Sequence, residues 1–194
     1  METIKEFEAA EAILHGHFIL SSGLHSETYL QCAKVLMDPK RAERLCKKLA
    51  DKIIAQLPEA NFDMVISPAM GGILVGYEVA RQLNLPSVFC ERENGIFTLR
   101  RGFSFPEGAK ILVVEDVLTT GKSSKETFVC IEKFGGKVLA EACLVDRSNG
   151  QADLGVPLIS LLQLNVQTFD KDNVPEHLQK IPAVKPGSRH LLAL

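Results

Sequence analysis

Two rhythms of apolar residues run along this chain. From Asn61 onward, short apolar runs alternate with stretches whose apolar residues recur at helical spacing. The runs are FDMVIS (62–67), SVFCE (87–91), KILVVE (110–115) and VLAEACLV (138–145); the helical stretches cover 73–83 and 123–134. Continuous apolar runs are the mark of strands buried on both faces, and helices between them predict βαβ units and a mostly parallel sheet. Before Asn61 the texture differs. Ile4, Phe7 and Leu14 predict an opening amphipathic helix over 2–14. HFILSS, bracketed by Gly16 and Gly23, and TYLQCA predict two strands. Asp38 followed by Pro39 is a helix start, with Ala42, Leu45, Cys46, Leu49 and Ile53 on one apolar face. The tail from Asp170 predicts irregular structure with one short helix over 175–180. The fold class expected is α/β.

The most informative segment is ILVVEDVLTTGKSS (111–124). An apolar strand ends in two carboxylates, Glu115 and Asp116, and a Thr/Gly/Ser loop then opens a helix. Ligands of open α/β sheets bind beyond the carboxyl ends of the strands. A helix N-terminus offers unpaired N–H groups and the positive end of the dipole to a phosphate. Thr119, Thr120, Ser123 and Ser124 add hydroxyls, and Gly121 lets the backbone approach closely. Two acids would repel a phosphate unless the same ligand also carries hydroxyls that a carboxylate can accept from. A ribose 5-phosphate meets both demands. Gly121-Lys122-Ser123 also resembles the end of a nucleotide-binding P-loop, but the leading glycine of that motif would fall on Asp116.

Composition narrows the classes. At 194 residues, 46% hydrophobic and 24% charged, the chain suits one soluble domain with a real core. A formal net charge of −2 gives no sign of a nucleic-acid or anionic-membrane binder. The five cysteines are widely spaced without a CxxC pair, so reduced, buried thiols are expected rather than disulfides or zinc. The acidic, amphipathic start and the lack of an apolar stretch near bilayer length lead us to expect a cytoplasmic protein.

VVEDVLTTGKSS resembles the signature of the type I phosphoribosyltransferases, which use phosphoribosyl pyrophosphate as donor. The resemblance implies that Glu115 and Asp116 bind the ribose hydroxyls and that Thr119, Thr120, Gly121, Lys122 and Ser123 hold the 5′-phosphate, with Val117 and Leu118 in the same binding segment. Three further segments resemble the orotate-specific branch. GHFILSSGLHSETYLQ (16–31) matches its hood pattern at Gly16, Phe18, Leu20, Ser22, Gly23, Ser26 and Tyr29. LVDRSNG places Arg147 after a strand, where a planar guanidinium can meet the orotate carboxylate and ring carbonyls in paired hydrogen bonds. SPAMGGI, with Gly71 and Gly72, resembles the pyrophosphate loop. The implied architecture is a single type I phosphoribosyltransferase domain over 1–194, with a small N-terminal hood over about 1–35 plus the C-terminal segment, and a core over about 60–165. A homodimer and magnesium bound mainly through the donor are also implied, with no dedicated metal site in the protein.

Residues 91–108, ERENGIFTLRRGFSFPEG, are expected to be a long mobile loop without structure of its own; the resemblance implies that it closes over the site, often that of a neighbouring subunit. Many orotate enzymes carry lysines there, in the pyrophosphate loop and in the hood. This chain has no lysine from Ile53 to Ala109; Ser21 and Gly71 occupy the other two positions. Arg100 and Arg101 are the candidate catalytic cations, and Arg92 a candidate substrate contact. A purine or uracil transferase, and a non-catalytic sensor of the donor, are the rival readings; the hood and Arg147 oppose the first, and the single-domain length and charge oppose the second.

Overall fold

A computed structural model describes residues 2–20 and 23–186. The chain opens with α1 (Glu2–Ala9), two strands β1 (Ile13–Ile19) and β2 (His25–Leu30), a short helix α2 (Cys32–Leu36) and the long α3 (Pro39–Gln56). The opening helix is shorter than its apolar spacing predicts: Ala12 N donates to Phe7 O, Glu11 takes a φ of 50°, and Leu14 falls in β1 opposite Tyr29. Gly16 lies inside β1 rather than before it, beside a bulge between His15 and Phe18. Glycine suits such a break in the ladder. The run expected as a strand through Ala33 stops at Leu30, and Cys32 begins a helix. At α3 the expected cap forms: the Asp38 carboxylate accepts from Lys40 N at 3.0 Å and Arg41 N at 3.3 Å. All five residues of its expected apolar face are buried.

The core follows as β3 (Met64–Pro68), α4 (Gly72–Leu83), β4 (Ser87–Glu93), β5 (Ile96–Thr98), β6 (Lys110–Leu118), α5 (Lys122–Lys133), β7 (Lys137–Asp146) and β8 (Leu158–Gln163). These strands form one sheet in the order β5-β4-β3-β6-β7-β8, parallel except for the β4–β5 pair. Alternate side chains divide the core in two. Val65, Leu112, Val114, Ala142 and Leu144 pack with α3 and α4; Ile66, Ile111, Val113 and Cys143 pack with Phe128 and Ile131 of α5. Burial on both faces explains why these strands read as unbroken apolar runs.

The first part of the segment expected as an unstructured loop is instead a hairpin, while residues 99–108 remain without strand or helix. β4 runs on to Glu93, Asn94 and Gly95 turn with φ of 52° and 84°, and β5 returns with Arg92 opposite Phe97. Two successive positive φ values are what a tight two-residue hairpin turn requires. Phe97 and Leu99 anchor it on Cys90 and Cys130. All five cysteines are buried and free.

After β8, β9 (Thr168–Phe169) pairs with β2, giving a separate three-stranded sheet β1-β2-β9, and α6 (Glu176–Gln179) lies within the helix predicted over 175–180. Val184 returns to bridge Phe18. The C-terminal segment therefore completes the N-terminal sheet, and between this sheet and the carboxyl edge of the core lies a cleft of about 1080 Å³. Among the described residues, no helix is long and apolar enough to cross a membrane.

Candidate active site

The two acids lie within β6, which extends past them to Leu118. Because they are consecutive, the pleat sends them to opposite faces. Asp116 goes to the α4 side, against Gly71, where an added Cβ would lie 2.7 Å from both carboxylate oxygens. Glu115 goes to the α5 side, with Ser124 Oγ 3.4 Å from its Oε2. Both line the cleft. Burial pushes the Glu115 carboxyl up to about 8, with the charges of Glu141 and Asp116 adding to it. Burial also raises Asp116, against the opposing effect of the backbone amides of Val117 and Asp116 itself.

Thr119, Thr120, Gly121, Lys122 and Ser123 follow along the cleft wall, at the start of α5. Gly121 is required twice: its φ is 73°, and a Cβ would meet Leu154 Cδ2 at 2.7 Å. Lys122 N donates to Thr120 Oγ1 at 3.4 Å. Val117 lines the cleft as well. Leu118 does not: its side chain is buried in the α5-side core, and its carbonyl accepts from Arg147 N at 2.8 Å. Ser124, a candidate phosphate hydroxyl by sequence, is also turned inward, with Oγ 2.8 Å from Glu141 Oε1.

Arg147 reaches the cleft from the end of β7. The Asp146 carboxylate accepts from Ser148 N at 2.7 Å, which sets the turn that follows. Arg147 Nε is buried and has no hydrogen-bond partner. Burial lowers the guanidinium below its ordinary value, with Tyr29 and Cys32 acting in the opposite direction. Tyr29 shares the cleft, its ring 5.7 Å from that of Phe18, and its hydroxyl is raised by burial and then by Asp116. Gly71 and Gly72 form the opposite wall. Ser26, part of the hood pattern, is structural: its hydroxyl donates to Thr28 O at 3.0 Å and Gln167 O at 3.1 Å, tying the hood to the C-terminal segment. Ser22 lies outside the described residues.

The three arginines part company. Arg92 lines the cleft, but its guanidinium is 4.0 Å from the Phe97 ring centre, pairs with Glu126, and donates to Gly95 O at 2.6 Å. Arg100 and Arg101 are not brought into the cleft of their own chain. Arg100 Nε is 3.5 Å from Glu93, and Arg101 Nε is 3.1 Å from Glu91. The hairpin's pairing with the edge of the sheet holds them outside. Leu20 of the hood pattern lines the cleft, and residues the sequence did not single out complete the walls, chiefly Leu24 of the hood, Phe97 of the hairpin, Asn149 and Gln151 after Arg147, and Val166 and Thr168 before and in β9. Only turn residues marked the 148–152 stretch; the rest arrive through tertiary contact. Among the described residues, no group of three or more His, Cys, Asp or Glu side chains could hold a metal ion.

An acid pair, an open helix start and an arginine with a free buried nitrogen thus share one cleft. Residues 34–180 match the family described as Phosphoribosyl transferase domain. The chain is 55% identical over 190 residues to the orotate phosphoribosyltransferase of Maricaulis maris, covering 98% of this chain and 97% of that relative. The chain belongs to the orotate phosphoribosyltransferase family. The orotate phosphoribosyltransferase of Rhizorhabdus wittichii is 54% identical over 192 residues, covering 99% of this chain and 97% of its own. The crystal structure of orotate phosphoribosyltransferase from Aeropyrum pernix superposes with a TM-score of 0.69 at 28% identity, covering 84% of this chain and 94% of that one. The type I phosphoribosyltransferase fold expected from the signature is therefore the fold found.

Proposed function

We propose that the cleft binds phosphoribosyl pyrophosphate and orotate together, with Glu115 and Asp116 on the ribose hydroxyls and residues 119–123 on the 5′-phosphate. The reaction is transfer of the phosphoribosyl group to orotate, giving orotidine 5′-monophosphate and pyrophosphate in pyrimidine biosynthesis. The observation that carries the acceptor assignment is the buried, partnerless Nε of Arg147 in the same cleft as the acid pair. A buried donor without an acceptor costs about 1–3 kcal/mol, and a bound orotate carboxylate or carbonyl removes that cost.

In the reaction, the orotate ring nitrogen forms a bond to the anomeric carbon as the bond to pyrophosphate breaks, through a state of oxocarbenium character. Arg147, with Tyr29 and the hood, including Ser22, orients orotate. Gly71 and Gly72 give pyrophosphate room against the backbone, and Arg92 stands on the same cleft as a cation for its growing charge. A magnesium ion carried with the donor would supply neutralisation of the charge on the leaving group, since pyrophosphate and ribose oxygens suit a hard cation.

The hood, core and C-terminal segment act as one domain of a homodimer. Support for the dimer comes from α4 and the turn before it, where Met70, Leu74 and Tyr77 form an exposed apolar stripe, 81%, 56% and 65% accessible. Arg100 and Arg101, turned away from their own cleft, serve that of the neighbouring subunit. The five free thiols accord with a cytoplasmic protein.

Asp116→Asn tests the donor site. The expected result is a fall of about 100-fold or more in kcat/KM for phosphoribosyl pyrophosphate, the scale seen when one charge-matched contact to a reacting group is lost. Near-normal turnover would overturn the assignment of the acid pair.

A further inference from the structure

Glu141 has no place in the cleft. It stands in the middle of β7, 0% exposed, in a run otherwise apolar. Its side chain faces α5. The β6–β7 register sets Val113 opposite Glu141 and Glu115 opposite Cys143, which makes Glu115 and Glu141 diagonal neighbours on one face of the sheet. Ser124, fully buried in the first turn of α5, bridges them, with Oγ 2.8 Å from Glu141 Oε1 and 3.4 Å from Glu115 Oε2. The second oxygen, Glu141 Oε2, is buried with no partner.

A hydroxyl carries one hydrogen. With both carboxylates ionised, Ser124 donates to one and turns a lone pair toward the other. One proton on the pair removes that conflict, because one carboxyl then donates to Ser124 and Ser124 donates to the second. Burial and then the charge of Glu141 raise Glu115 the more, to about 8 against about 7 for Glu141, so without donor the shared proton rests on Glu115. Glu115, 7% exposed, lines the cleft and meets ligand there, whereas Glu141 is sealed. A ribose hydroxyl donating to Glu115 favours its anion and moves the proton to Glu141.

We propose that Glu141 is a positioning residue for donor binding: its protonated carboxyl donates to Ser124, and Ser124 donates to Glu115, holding it as an oriented anion for the ribose hydroxyls. The relay rests on the assignment of Glu115 to the ribose. Burial raises both groups, Glu115 to about 8 and Glu141 to about 7, so the pair retains a proton at neutral pH. The titratable groups nearest the pair are Asp116, adjoining on β6 and raised by burial, and Cys143 on β7, whose thiol burial and then Glu141 push up; Lys110, Lys137 and Asp146 stand at the ends of these strands, and Lys122, Lys125 and Glu126 lie along α5. From α5 comes the neutral Ser124, and β8 sets the neutral Ser160 opposite Cys143. As pH rises through this range the pair loses its proton, Ser124 can no longer serve both carboxylates, and donor binding weakens.

The test is the pH dependence of kcat/KM for phosphoribosyl pyrophosphate in the full chain with magnesium, for wild type, E141Q, E141L and E115Q. The E141Q amide still donates to Ser124 but has no proton to lose. The wild type should fall off on the alkaline side with a midpoint between about 7 and about 8, and E141Q should lack that fall. E141L, which cannot donate, should raise the donor KM about tenfold at pH 7 with the orotate KM unchanged, and E141Q should recover most of that loss. An unchanged alkaline limb in E141Q overturns the relay, and this comparison stands even if E141L does not fold. A folded E141L with the wild-type donor KM also overturns it. If E115Q keeps the wild-type donor KM, the ribose assignment itself falls; loss in E115Q without effect at Glu141 overturns the relay alone.

Discussion

Replacing Arg147 with methionine separates function from stability in opposite directions. The stem of the side chain is kept, so no large cavity opens, but the guanidinium goes. In the folded protein that group is half-buried, lowered by desolvation, and has an Nε with no partner. A base whose folded value lies below its unfolded one disfavours folding wherever it is charged, and arginine is charged at every working pH. Removing one unsatisfied buried donor relieves about 1–3 kcal/mol, from which loss of the long side chain's other contacts subtracts. The net expectation is a gain of about 1 kcal/mol, or roughly 2–4 °C in melting temperature for a chain of this size. Activity should move the other way. Two charge-assisted hydrogen bonds to orotate contribute about 1.5–3 kcal/mol each, so kcat/KM for orotate should fall about 100- to 10,000-fold. Donor binding, measured by calorimetry, should be unchanged, since the acid pair and α5 are untouched. A variant less stable than the wild type by more than about 1 kcal/mol, or one that loses donor and orotate binding equally, would refute the view that Arg147 is held in reserve for the acceptor.

Three other outcomes follow from the geometry. Gly71→Ala puts a Cβ 2.7 Å from both Asp116 oxygens, so the carboxylate must shift by about 0.5–1 Å, and donor kcat/KM should fall about 10- to 100-fold while the melt stays cooperative. In mixtures of Arg100→Ala/Arg101→Ala chains with Asp116→Asn chains, activity above the sum of the parents indicates that the arginines act across the subunit boundary; purely additive activity places them outside the reaction. The raised carboxyls also make stability fall with pH. The unfolded chain releases these protons near 4.5 and the folded pair holds them to about 7 and about 8, so stability declines between those limits. E141Q should therefore gain melting temperature over the wild type at pH 8.5 and gain little at pH 5; a constant offset contradicts the shared proton.

The strands of the core are legible in the sequence because a parallel sheet covered on both faces leaves no polar alternation to confuse the pattern. β5 and β8 are harder, being edge strands with positions facing solvent. The hairpin was marked all the same, since Asn94-Gly95 is a turn signal that a reading of 91–108 as one loop passes over. The site divides likewise. Glu115, Asp116, residues 119–123 and Arg147 are neighbours in sequence or follow a strand end, so local pattern suffices. Leu118 and Ser124 sit in the same motif but point inward, which only the strand pleat and the helix face decide. Glu141 was visible as a lone acid in VLAEACLV, yet nothing in one strand says which side chain waits across the sheet. At Gly71, the sequence registers a missing lysine; the structure supplies a reason for glycine, because Asp116 fills the space a side chain would need.

The most direct test of the account is consumption of orotate, followed by its ultraviolet absorbance, with phosphoribosyl pyrophosphate and magnesium, and with adenine, hypoxanthine and uracil in parallel. The account predicts loss of orotate with formation of orotidine 5′-monophosphate, no turnover of the other three bases, and no reaction when magnesium is chelated. Turnover of a purine or uracil in place of orotate would contradict the acceptor site built on Arg147 and the hood while leaving the donor site standing.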